Sequence, residues 1–166
     1  MTGNVIRESV TTHSITFFPT TTENANYGFN TWKDWHLVPT TRPSINASKT
    51  RTEYQTVPGR DGVVDFTQTN GAIRYDNRTG SWEFMVLHEF HESRPWTEIY
   101  SEILNNIHGK NMRIVLTDAP AYYYTGRLNV NPWQTGDHWS TITIDYDISP
   151  GSRKFSKKSY RQAVWK

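Results

Sequence analysis

The residue types that could do metal chemistry stand together once, at His88-Glu89-Phe90-His91. A zinc-protease pattern needs two His one helical turn apart, at i and i+4, so that both imidazoles reach one metal. Here the two His are three apart and precede Pro95, in what reads as a strand end with no third ligand nearby. The segment reads instead as a polar loop rich in His and Glu. One carboxylate pair, Asp145 and Asp147, shares a strand face, and glycoside hydrolysis uses two carboxylates several ångströms apart. Yet these acids alternate with Ile142, Ile144, Tyr146 and Ile148. That is how the solvent face of a half-buried strand looks, and this is the preferred reading. No Gly-rich phosphate loop, Gly-x-Ser-x-Gly elbow or Walker pattern occurs, and Ser and His form no recognisable triad. With Cys at 0, thiolate zinc sites, disulfides and cysteine nucleophiles are excluded together. The sequence nominates no catalytic, metal or cofactor-binding residue.

The elements that would position a site come next. At 166 residues the chain can bury one full core. Trp 7, Tyr 9 and Phe 7 argue for folding, since disordered chains are poor in aromatics. A mean hydropathy of -0.73 points to much polar surface, as in sheets that alternate faces or surfaces buried against partners. No secretory signal is expected at the N-terminus, and no apolar run is long enough to span a membrane.

Ile15-Thr16-Phe17 alternates as a strand does. Residues 49 to 57 alternate charged and neutral side chains, as an exposed or interfacial strand would. Pro58-Gly59 presets a type II turn, and Asp61-Gly62 adds a second tight corner. Trp82 to Leu87 reads as a buried strand. One helix is expected at about 95–108, with Ser93 as N-cap, Pro95 in the first turn and Gly109 at C′. Trp96, Ile99, Tyr100, Ile103, Leu104 and Ile107 form its apolar stripe, which a sheet must cover. Strands are expected at Met112 to Leu116, Tyr122 to Val130 and Trp139 to Ile148. The fold class is mainly β or α+β.

Two features remain unused by the core. Tyr122-Tyr123-Tyr124 cannot all point to one face of a strand, so at least one faces a neighbour, a ligand or solvent. A protein interface is preferred over a sugar site for such aromatics. The C-terminus carries Arg153, Lys154, Lys157, Lys158, Arg161 and Lys166 and no acid. This +6 arm, set against a net charge of +2, leaves -4 for residues 1–152. It reads as a solvated terminus or an arm laid on an acidic neighbour, ahead of a nucleic-acid or membrane site.

The order of these segments resembles the N-terminal domain of siphophage distal tail proteins, a phage tail component family. The matching pieces are residues 30 to 39 (Asn-Thr-Trp-Lys-Asp-Trp-His-Leu-Val-Pro) with Arg42-Pro43, Val57-Pro58-Gly59-Arg60-Asp61-Gly62 and Tyr75-Asp76-Asn77-Arg78. The strand from Trp82, the helix closed by Ile107-His108-Gly109-Lys110, and residues 118 to 127 complete the set. The resemblance covers roughly residues 28–150. It implies a tail-tube-like β-barrel or sandwich with one packed helix, assembling as a hexameric ring at the distal end of the tail. Such a ring joins the tail tube to the tip or baseplate and leaves a channel that DNA passes without specific binding.

The partners implied are further copies of the chain, the major tail tube protein, the tail-associated tip protein and the tape measure protein. The domain reading is an N-terminal extension at 1–27, the ring domain at 28–150 and the basic arm at 151–166. Pro58, Gly59, Arg60, Asp61, Gly62, Tyr122, Tyr123 and Tyr124 are the subunit-interface candidates. For the Arg60/Asp61 loop, a local turn held by Arg–Asp pairing stands as the alternative. Many members carry a second, galectin-like domain, which has no counterpart here, so its carbohydrate or receptor docking is not carried over. Both termini are candidate clamps onto neighbouring rings. The alternative functions are a tail-tube or tail-terminator subunit, a carbohydrate-binding module using Tyr123, and a hydrolase using Asp145 and Asp147.

Overall fold

Strict alternation sets the backbone of this molecule. In Trp139–Ile148 the even positions Ser140, Ile142, Ile144, Tyr146 and Ile148 are buried, while Trp139 and Asp147 at the ends of the odd row are exposed. A period of two places the buried set on one face of a pleated sheet. The computed structural model describes residues 13–20, 28–69, 71–87, 93–135, 139–151 and 153–154. Its strands, in chain order, are β1 (Ile15–Pro19), β2 (Phe29–Asn30), β3 (Leu37–Pro39), β4 (Tyr54–Thr56), β5 (Val63–Asp65) and β6 (Arg78–Leu87). After the helix α1 (Trp96–Ile107) come β7 (Asn111–Leu116), β8 (Tyr122–Val130), β9 (Gln134–Thr135), β10 (Trp139–Ile148) and β11 (Arg153–Lys154).

The main sheet runs β2-β1-β7-β8-β10-β6-β3, with β9 joined to β10 and β11 to β8. Every pairing in it is antiparallel. The sheet curls into a half-barrel, and the class is mainly β with one helix among the described residues. The helix lies across β8, and Trp96, Ile99, Ile103 and Ile107 are buried, with Tyr100 and Leu104 packed at the margin. Pro95 is the N-cap itself, with no side-chain capping bond, so Ser93 does not cap the helix as its residue type suggested. Proline at that place forgoes a capping side chain, and Glu98 in the first turn faces the positive end of the helix dipole. Gly109 takes φ +71 beyond the C-terminus, where a glycine has no Cβ to clash.

Aromatic side chains fill the concave face. Phe17 lies 6.4 Å from Trp35 and 6.2 Å from Trp82, and Trp82 stacks on Tyr146 at 4.3 Å. Trp35 and Phe17 are fully buried, each contributing about 2–3 kcal/mol through apolar burial alone. Their polar tips tie irregular segments to the sheet. The Trp82 indole N–H donates to the Ser44 carbonyl at 2.8 Å, and the Asn46 amide donates to the Tyr146 hydroxyl at 3.0 Å. The Trp35 indole donates to Glu102 on the helix at 3.3 Å. Buried Trp and Tyr need such partners, and here the partners fix the chain from 40 to 48 along β6.

Three boundaries differ from the sequence reading. Strand β1 lies inside the main sheet between β2 and β7, with Ile15 and Phe17 wholly buried, so the sheet begins within residues 1–27 rather than after them. Its partner β7 lies far along the chain, and local alternation does not reveal such a pairing. Strand β6 starts at Arg78 and buries only Trp82, Phe84 and Val86, so it alternates rather than being wholly buried. The basic arm starts inside the sheet, because the backbones of Arg153 and Lys154 pair with Tyr123 and Tyr122.

Candidate assembly surfaces

The segment from Lys49 to Asp76 stands apart from the core. Strands β4 and β5 form their own two-stranded sheet, and β4 pairs Tyr54 with Asp65 and Thr56 with Val63. Farther down, Thr50 bridges Tyr75, while Arg51 N–H donates to the Arg74 carbonyl at 2.9 Å and Asp76 N–H to the Lys49 carbonyl at 2.8 Å. The whole is one long hairpin, with an insertion between Phe66 and Arg74. None of its described residues is buried, and residues 51–63 are all exposed. An isolated two-stranded ribbon is marginal in water.

Two properties of this arm follow from register. The bonds at Lys49, Arg51 and Glu53 use the odd positions, so Thr50, Thr52, Tyr54 and Thr56 turn their backbone N–H and C=O groups to the opposite edge. Among the described residues no strand pairs that edge. Directly opposite residues share a face, so Tyr54, Val63 and Tyr75 lie together, exposed by 57%, 59% and 47%. The other face carries a groove of about 340 Å³ lined by Arg51, Glu53, Phe66 and Arg74. Its edge is tied by an Arg51–Asp76 ion pair at 2.5 Å.

The tip of the arm holds the first set of interface candidates. Arg60 N–H donates to the Val57 carbonyl at 3.2 Å with Gly59 at φ +82, closing the turn that Pro58-Gly59 presets. Gly62 has the same positive φ. Arg60 and Asp61 form no ion pair among the described residues, so glycine geometry rather than Arg–Asp pairing shapes the tip. At the base of the hairpin, Asp65 accepts from the Thr67 hydroxyl and, at 2.8 Å, from its amide, which holds the Asp65 carboxyl below its ordinary range.

The tyrosine run lies on β8, far from the tip. Tyr124 packs toward the core beneath the Arg78 guanidinium, 5.7 Å from the ring centroid. Tyr123 points to the opposite face, where Arg113 sits 5.7 Å from its ring. Tyr122 is 36% exposed. Arg78 also donates twice to the Pro150 carbonyl, at 2.9 and 2.7 Å, fixing where the chain leaves β10 for β11. The basic arm thus departs beside the tyrosines; Lys157, Lys158, Arg161 and Lys166 lie outside the described residues.

The convex face of β6 and β10 is a third surface. Register places Thr79 beside Asp147, Ser81 beside Asp145, Glu83 beside Thr143, Met85 beside Thr141 and Leu87 beside Trp139. One end is polar and acidic. The other is apolar, with Trp139 48% exposed and Met85 and Leu87 half-buried. Asp145 accepts from the Asn131 side chain at 3.0 Å, so this acid is held as part of a polar surface. Glu83, Thr141 and Thr143 line a shallow polar groove of about 290 Å³. The His88-Glu89-Phe90-His91 segment lies outside the described residues, and among those described no three His, Cys, Asp or Glu cluster to hold a metal.

Sequence reasoning missed one polar knot. Asp118 accepts from His13 Nδ1 at 2.9 Å and from Arg42 Nε at 2.7 Å, joining the approach to β1, the loop after β3 and the β7–β8 turn. Burial works to raise the Asp118 carboxyl, but the bonds from Arg42 and His13 together hold it below its ordinary 3.8. No local signal marks residues so distant in sequence as partners.

No protein-family model and no curated protein matches the chain. Among solved structures, SPP1 Dit (gp 19.1), described as a paradigm of the hub adsorption apparatus in phages infecting Gram-positive hosts, matches with a TM-score of 0.54 at 13% identity. That match covers 81% of this chain and 49% of that one, so the chain spans about half that protein's length. The six-fold symmetrised baseplate of the anti-feeding prophage matches more loosely, with a TM-score of 0.40, 12% identity and coverage of 87% and 93%. The chain therefore has the fold of a phage tail-hub protein.

Proposed function

We propose that this chain is a non-enzymatic structural protein of a phage tail tip. It closes as a hexameric ring that joins the tail tube to the tip or baseplate and leaves a channel for DNA. The observation that carries this reading is the fold likeness to a phage hub protein over 81% of the chain. The exposed arm supports it, because a two-stranded ribbon with no buried residue among those described is marginal by itself and gains from a neighbour that covers it. One heterologous contact repeated by rotation closes a ring. The tip residues Pro58, Gly59, Arg60, Asp61 and Gly62 and the run Tyr122, Tyr123 and Tyr124 are the proposed contact residues. The hydroxyls and acids at the polar end of the convex sheet face suit a channel wall, since they offer phosphate no counter-charge.

The partners in this reading are the major tail tube protein, the tail-associated tip protein and the tape measure protein. The core is residues 28–150 together with β1, and the basic arm from Arg153 is a clamp onto a neighbouring ring. Light scattering followed by negative-stain imaging of the purified chain tests it. Six-fold rings, single or paired, are the expected result. Open-ended filaments would point to a tail-tube subunit instead. A monomer retained on host wall polysaccharide, with retention lost in Tyr123→Ala, would replace the structural reading with a binding module.

A further inference from the structure

We infer that the Asp61–Gly62 bond, at the tip of the arm, is a self-modification site where the chain closes a succinimide and reopens it as isoaspartate. The reaction needs no partner and does not rest on the ring reading. The Gly62 backbone nitrogen attacks the side-chain carboxyl carbon of Asp61 and forms a new C–N bond. The carboxyl hydroxyl leaves with the amide proton as water. A second water then breaks one of the two carbonyl–nitrogen bonds of the five-membered ring. Opening at the side-chain carbonyl restores Asp; opening at the main-chain carbonyl leaves the backbone running through the side chain. Nothing is oxidised or reduced, and the net change is an isomerisation.

Three observations converge on this bond. Both residues are exposed. Among the described residues the Asp61 carboxylate has no hydrogen bond or ion pair, and the Gly62 N–H has no acceptor, because the Val57 carbonyl takes the Arg60 N–H instead. A Cβ placed on Gly62 would meet nothing within 4 Å, so neither a side chain nor a neighbour obstructs the approach. Other aspartates are held. Asp65 accepts from Thr67, and the following N–H, of Phe66, donates to the Glu53 carbonyl at 2.7 Å. Asp118 is held by His13 and Arg42, and the Ala119 N–H donates to the Leu116 carbonyl at 3.0 Å. Asp147 stands inside β10 before Ile148, where the ladder and a stiff β-branched side chain fix the backbone. Exposed loop tips are also where chain chemistry concentrates in general. The product carries one more methylene in its backbone, in the turn that closes on the Thr56–Val63 pair, and so reshapes the tip.

The test holds the purified full-length chain in warm neutral buffer made with heavy-oxygen water and samples it over weeks. Each sample is digested with a protease that cuts before Asp and not before isoaspartate. The expected product carries one heavy oxygen at the tip, resists cutting at Arg60–Asp61 and is still cut at Val64–Asp65. Its rate of formation should lie within about tenfold of that in a synthetic peptide spanning residues 57–66. Asp61→Glu should take up heavy oxygen at the tip at least tenfold more slowly, since a six-membered ring must close. A rate more than tenfold below the peptide's shows that the tip holds the bond shut and overturns the inference. Equal loss of cutting at Val64–Asp65, or an unslowed Asp61→Glu, overturns it as well.

Discussion

At Asp118 the charge balance has a direction that can be measured. Its carboxyl is depressed in the folded state, so the stability it brings is fully present above the ordinary value of 3.8 and is lost as pH falls through the lower folded value. Thermal melts from pH 7 to pH 2.5 should therefore show part of the acid loss disappearing in Asp118→Asn. That variant should be about 1 kcal/mol less stable near neutrality, a modest figure because Arg42 is largely exposed. Two glycines give a sharper contrast. A Cβ at Gly80 would press on the Tyr146 hydroxyl and the Asn46 amide, both side-chain tips. A Cβ at Gly126 would lie 2.5 Å from the Asp147 carbonyl oxygen and 2.7 Å from Ile148 Cα, both backbone. Gly80→Ala should cost about 1–3 kcal/mol in urea denaturation, and Gly126→Ala more, because backbone yields less than a side chain. Equal losses would show that the tether at Asn46 is as rigid as the sheet.

The elements divide into those that were readable and those that were not. The i, i+3, i+4 stripe from Trp96 to Ile107 located α1, and Ile103→Ala should cost about 2–5 kcal/mol in stability, since Ile103 is fully buried under the sheet. Strands β8 and β10 were legible to the residue, because a half-buried strand writes its period into the sequence and turn residues bound both. Strand β1 was visible as alternation, but its place between β2 and β7 was not, because pairing across some hundred residues leaves no local mark. The arm was legible as an exposed strand from the alternation of residues 49 to 57, and Tyr54–Thr56 is one. That both of its faces are exposed was not legible, because it depends on what packs above and below. Hydrogen exchange should separate the two kinds of strand. Amides of Thr50, Thr52, Tyr54 and Thr56 should exchange quickly in the free subunit and slowly once assembled, while those of β10 stay protected throughout.

For the whole molecule, charge is segregated by position. Removing residues 155–166 deletes Lys157, Lys158, Arg161 and Lys166 and takes the net charge from +2 to -2. The pairing of β11 with β8 would survive, since Arg153 and Lys154 remain. The truncated chain should still form rings in light scattering and should no longer co-sediment with tail partners, as the clamp reading requires. Co-sedimentation unchanged by truncation would leave the arm as a solvated terminus. The candidate assembly surfaces were legible only in part, because the tip turn and the tyrosine run carry composition signals and the Met85–Trp139 patch arises from register across two strands.

The pairing of β1 with β7 also sets a clock. Ile15 and Phe17 are made about a hundred residues before β7, their partner. At bacterial translation speeds that is a wait on the order of ten seconds with an apolar strand unsatisfied. The nascent chain is therefore a client for holding factors during that interval, and slowing synthesis between β1 and β7 should lower the soluble yield more than slowing it after β10.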